Sequence, residues 1–75
     1  MMNIQIKRQS AGLSQRALAD ASGVNLRTIQ KYEIGEREID GASLETLCDL
    51  ALAIGCQLED ILESEALKEK LRQVT

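Results

Sequence analysis

The 75 residues predict an all-α fold: a compact five-helix domain followed by a short helical tail. Three observations lead there. Apolar residues recur at helical rather than alternating spacing, β-branched runs are absent, and glycines and small polar residues punctuate the chain. Gly12, Gly23, Gly35, Gly41 and Gly55 fall where helices would stop, because the position just past a helix often needs a positive φ. Asn3, Ser14, Asn25 and Ser43 fall where helices would start, since a short side-chain oxygen there accepts from a free first-turn amide.

Taken in order, the first helix is expected over about 3–10, anchored by Ile4. The second, about 14–21, carries Leu18 among Ala17, Ala19 and Ala21, whose small side chains let another helix come close. The third, about 25–33, presents Ile29 and Tyr32, with Val24 just ahead of it. In the fourth, about 43–54, Leu44, Leu47, Leu50, Ala51 and Ile54 share one face. A fifth begins near Gln57 or Leu58 and runs through Leu62, and a helical tail continues to about Arg72. The expected division is a domain over residues 1–63 and an amphipathic tail over 64–75. Its core would be Ile4, Leu18, Ile29, Leu44, Leu47, Leu50, Ile54, Leu58 and Ile61, aliphatic and modest.

Length and composition exclude several chemistries. A chain this short makes one domain and buries roughly 60% of its unfolded surface. It has no histidine and two cysteines, which removes zinc fingers and His-dependent hydrolysis, and neither metal nor cofactor is expected. Cys48 and Cys56 form no CxxC pair and are expected to be small core hydrophobes. A single tyrosine as the sole aromatic argues against base-stacking modules. No nucleophile–base pair can be named, so no enzyme is expected. The longest nearly apolar run, Leu50 to Cys56, is too short to span a bilayer, and no basic-then-apolar leader opens the chain. A cytoplasmic protein without membrane contact is the expectation.

The second and third helices carry the functional signal. A short turn containing Gly23 joins them, which is the spacing of two helices set at a steep angle, over about 14–33. With Ile29 facing the core, Arg27 lies about 160° and Lys31 about 200° around the third helix, with Gln30 near 100° and Leu26 near 60°. Such a face suits a DNA major groove. Arginine reads guanine O6/N7, glutamine can read adenine, and an apolar side chain can meet a thymine methyl. Helix starts at Ser14 and Asn25 present free amides and the positive dipole end, both favourable to phosphate.

The stretch Gly12-Leu13-Ser14-Gln15, Leu18-Ala19, Gly23, Ile29 and Tyr32-Glu33-Ile34-Gly35 resembles the phage repressor/Cro (XRE-type) helix-turn-helix family over roughly residues 3–62. The resemblance implies a lambda-repressor-like domain that binds a pseudo-palindromic double-stranded operator as a homodimer. It implies base contacts from Leu26, Arg27 and Lys31, to which the exposed face of the helix adds Gln30. Phosphate contacts would come from Ser14, Gln15, Asn25, Thr28 and Arg37, and a structural ion pair from Arg8 with Glu33. Lys7 stands where relatives place an apolar residue. Arg37 is the one cation of a loop, Glu36 to Gly41, where relatives often carry several.

In the tail, Leu67, Leu71 and Val74 recur at i, i+4 and i+7. On one unbroken helix they would lie opposite Leu58 and Leu62. Either Ser64 breaks the helix and caps a new one, or the stripe meets another chain. A homodimer interface of Leu58, Ile61, Leu62, Leu67, Leu71 and Val74 is the expectation. The leading reading is a transcriptional regulator acting as a repressor by occupying its operator. With no further domain to sense a ligand, control would come from concentration, dimerisation or a partner. The alternative is an antitoxin-like module whose tail binds a small partner protein while the helix-turn-helix autoregulates its operon.

Charge is unevenly placed along the chain. Residues 1–37 hold six cations against three carboxylates, a net +3; residues 38–75 hold three against nine, a net −6. The acidic total of −3 therefore does not argue against DNA. It argues for few phosphate contacts and a shallow salt dependence.

Overall fold

Single residues start and stop each helix in the computed structural model, which describes all residues 1–75. The elements are α1 (Asn3–Ser10), α2 (Gln15–Ser22), α3 (Leu26–Glu33), α4 (Leu44–Ile54) and α5 (Glu65–Val74), with short 3-10 turns at Ile39–Gly41 and Leu58–Ile61. Three helices begin one residue later than expected because the predicted first residue is the cap. Ser14 Oγ accepts from the Ala17 amide at 3.0 Å, Asn25 Oδ1 from Arg27 at 2.8 Å, and Ser43 Oγ from Thr46 at 3.1 Å. Asn3 is not a cap. It is the first residue of α1, and its side chain donates to the Leu62 carbonyl at 2.8 Å while its backbone N–H donates to Glu63 at 2.6 Å. The start of α1 is thus closed by the far end of the domain.

α2 lies between α3 and α4, while α1 packs on α3 and on the Leu58–Ile61 turn. Ile4, Leu18, Ile29, Leu50 and Ile61 are fully buried at the centre. Tyr32, Ile39, Leu47, Ala51 and Leu62 complete the core. Ile39 enters from the Ile39–Gly41 turn, an element that helical periodicity does not announce. Three expectations need correction. Leu44 is 66% exposed, because α4 packs through Leu47, Leu50 and Ala51 and Leu44 sits at its first turn, off that face. Cys48 is exposed one turn further along the same edge, and Cys56 is half-buried against the core; both thiols are free. Ile54 and Leu58 line the core's margin instead of filling it.

The fifth helix is the largest departure. Residues Leu58–Ile61 make only a 3-10 turn, and Leu62 is extended, with φ −80° and ψ 154°. Asp40 holds the bend. Its two carboxylate oxygens accept from the backbone amides of Glu63 at 2.8 Å and Ser64 at 2.9 Å. Ser64 Oγ then accepts from Leu67 N–H at 3.2 Å and starts α5 in a new direction. The redirected helix lays Leu67 and Leu71 against the chain's own core, and none of its residues is fully buried. Ile61, expected to face a second copy, is fully buried inside this one, and Leu62 keeps only 2% of its surface, on an apolar groove.

Candidate nucleic-acid interface

The turn between α2 and α3 is set by Gly23, whose φ of 75° lies in the left-handed region. Its N–H bonds the Ala19 carbonyl at 2.9 Å and closes α2. Asn25 opens α3 two residues later. At the other end, Gly35 takes φ 76°, and a Cβ there would come within 2.7 Å of the Met2 methyl. The turn into α3 and the exit from it therefore both depend on backbone that other residues adopt at a cost.

α3 is fixed by what it buries. Ile29, Tyr32 and Glu33 point inward, an apolar pair beside a carboxylate. That carboxylate is fully partnered: Glu33 accepts from Arg8 Nε at 2.7 Å, Arg8 Nη2 at 3.0 Å and Gln15 Nε2 at 3.0 Å. Arg8 Nη1 donates to the Leu13 carbonyl at 2.7 Å, so one guanidinium ties α1, the α1–α2 loop and α3 together. The hydrogen bond that Arg8 donates to Glu33 raises the Arg8 pKa above its ordinary value, against the opposing effect of burial. Glu33, the one carboxylate of α3, is thereby kept off its outer face.

The outer face is cationic. Arg27 and Gln30 are exposed, and Leu26, Thr28 and Lys31 are half-exposed beside them. Lys7, Arg16, Arg27, Lys31 and Arg37 join none of the ion pairs, so five of the six cations in residues 1–37 are free to meet anions. Ser14 and Asn25 lie exposed at the two helix starts. At α2, Ala17 and Leu18 amides are bonded to Ser14, which leaves those of Gln15 and Arg16 without a helical partner. At α3, Arg27 and Ile29 amides bond to Asn25, which leaves those of Leu26 and Thr28. The Gln15 side chain is engaged within the protein, between Glu33 and a long 3.4 Å contact from Gln30. One of its two amide hydrogens remains available. Arg37 is exposed beyond α3, between Glu36 and Glu38.

Sequence reasoning missed the inward role of Gln15. The contact spans 18 residues and joins the two helix ends farthest from the Gly23 turn, so no local pattern announces it. Of the interface residues expected of the tail, all but the fully buried Ile61 border one groove, with Leu62 at its floor 2% exposed. Leu58, Leu67 and Leu71 line an open apolar groove of about 300 Å³, and Val74 stands on its lip.

Two short helices across a left-handed glycine, the second presenting free cations and amides, define a DNA-binding helix-turn-helix. A family model described as Helix-turn-helix matches residues 4–61, from the first fully buried residue to the last. The chain belongs to that family, in its repressor/Cro (XRE) type, and is a helix-turn-helix regulator that binds double-stranded DNA. Neither the curated proteins nor the solved structures returned a match. No helix is long and apolar enough to cross a membrane.

Proposed function

We propose that the protein is a sequence-specific transcriptional repressor that binds a pseudo-palindromic operator as a homodimer, with α3 in the major groove of each half-site. The carrying observation is the sorting of α3. Glu33, its one carboxylate, is buried with Ile29 and Tyr32, while Arg27, Gln30 and Lys31 lie on the outer side. Leu26, Arg27, Gln30 and Lys31 meet base edges in this reading, and Arg27 is the principal reader because its fork matches guanine O6/N7. Ser14, Gln15, Asn25, Thr28 and Arg37 contact phosphate, with the unpartnered amides at the starts of α2 and α3 adding backbone contacts that set the register. Repression follows from occupancy of the operator.

The docked position of α5 favours this reading over a partner-protein module. Leu67 and Leu71 lie on the chain's own core, so of the tail's apolar stripe only Val74 is left largely exposed. Selection from a random double-stranded DNA pool with the purified chain tests the proposal. The expected result is one motif made of two inverted half-sites about 10 base pairs apart, centre to centre. Enrichment of no motif at low salt overturns it.

A further inference from the structure

α4 carries an apolar edge that its own fold leaves open. Leu44, Cys48 and Leu52 stand at i, i+4 and i+8, a line about 12 Å long. Leu44 is 66% and Leu52 81% exposed, and Cys48 is exposed between them. Leu44 is also a wall of the apolar groove that Leu67, Leu71 and Val74 close from the α5 side, and Val74 is 80% exposed. The α4 edge and the groove are therefore continuous. A contiguous apolar surface of this kind marks an interaction site on a small protein.

Charge says what covers it. The only charged residues of α4 are Glu45 and Asp49, so this edge repels phosphate and is not part of the DNA face. The same carboxylates repel one another if two α4 edges meet directly. The α5 side of the groove instead presents Lys70, one turn before Val74, and Lys70, Glu45 and Asp49 take part in no ion pair within the chain. We infer that two copies pair through this surface, the Lys70–Val74 edge of α5 in each lying on the Leu44–Cys48–Leu52 edge of α4 in the other. A two-fold axis makes the contact twice, with a cation set against carboxylates both times. A stable interface buries about 800 Å² per copy, about a sixth of the 4666 Å² surface. The inference rests on the homodimer reading and names its interface, in which Leu44 and Lys70 stand in place of the buried Ile61 and Leu62.

Sedimentation equilibrium of the full chain, free of DNA, tests it with Leu44→Glu, Lys70→Glu and the double variant Lys70→Glu/Glu45→Lys. All three positions are exposed, and an unchanged circular dichroism spectrum and melting curve would show the fold intact. The wild type should be dimeric. Leu44→Glu should weaken dimerisation at least about tenfold, Lys70→Glu should weaken it less, and the double variant should recover much of the loss. A wild-type dimer indifferent to Leu44→Glu and Lys70→Glu overturns this interface and leaves the homodimer standing. A wild type that stays monomeric at the highest concentration reached overturns both.

Discussion

Arg8 and Arg72 make similar bonds in unlike surroundings. Arg8 grips one carboxylate, Glu33, at 2.7 and 3.0 Å; Arg72 holds two, Glu59 at 2.8 Å and Glu69 at 3.2 Å. The first pair leaves its side chains 10% and 2% exposed, whereas Arg72 and Glu69 are more than half exposed and Glu59 is about a third exposed. Both guanidinium pKa values are raised by hydrogen bonding to carboxylate, Arg8 through Glu33 and Arg72 through Glu69 first and Glu59 second. Bond length does not rank the two; water does. Around Arg72, solvent competes for each charge and salt screens the rest. Around Glu33 nothing replaces a lost partner, so that pair specifies how α1, α2 and α3 meet.

The largest expected effect breaks the comparison at its buried end. Arg8→Ala leaves the Glu33 carboxylate buried without its main partner and should cost about 3–5 kcal/mol of unfolding free energy. Urea denaturation measures it, and a loss below about 1 kcal/mol would place the pair with surface ion pairs. A double replacement by apolar residues of similar size should cost less than the single change, because no unpaired charge remains.

Arg27→Ala asks the converse question, of a cation that the fold does not use. It should cost about 1–3 kcal/mol of operator binding and relax preference at one base, with the unfolding midpoint unmoved. An equal loss on random DNA would make Arg27 a phosphate contact. Gly23→Ala acts on backbone alone, since no atom lies within 4 Å of the added methyl. Forcing φ 75° on alanine should cost about 1–2 kcal/mol in thermal unfolding.

The two thiols sharpen the contrast between solvated and buried groups. Burial, and then the charge of Asp60, pushes the Cys56 thiol above its ordinary value, while Cys48 is exposed. Alkylation at neutral pH should therefore modify Cys48 first, and Cys56 only as pH rises past the usual thiol range. The unfolded chain loses the Cys56 proton more readily than the folded one. The linked stability is thus intact below the ordinary thiol pKa and declines as pH rises through the raised one. Equal rates at the two thiols at neutral pH would contradict this. The smallest effect is expected of Arg72→Ala, a shift in melting temperature near the limit of detection, and a large one would mean that α5 is clamped by its charges.

The legible part of the fold was local. Ser14, Asn25 and Ser43 reveal helix starts, and Gly23 and Gly55 reveal stops, because caps and left-handed turns are settled among neighbouring residues. Arg27 and Lys31 could be assigned to the outer side of α3 because Ile29 fixes the rotation of a single helix. Leu44 could not be placed by the same reasoning. Periodicity puts it near the core face of α4, but which sector of that face is covered depends on where α2 and the Leu58–Ile61 turn lie. The inward Gln15 and the cap that Asp40 places on Glu63 and Ser64 join positions 18 to 24 residues apart.

The sequence by itself determined an all-α chain, the helix-turn-helix between Ser14 and Glu33, and the uneven charge that gathers most cations in the half that holds it. The tertiary structure decided what the second half does with its leucines. A short extended link that starts at Leu62, its Glu63 and Ser64 amides held by Asp40 from across the fold, turns α5 so that Leu67 and Leu71 cover the chain's own core. It leaves Leu44, Leu52 and Val74 in solvent. Helical spacing reports which side chains share a face, and only packing in three dimensions decides what that face meets.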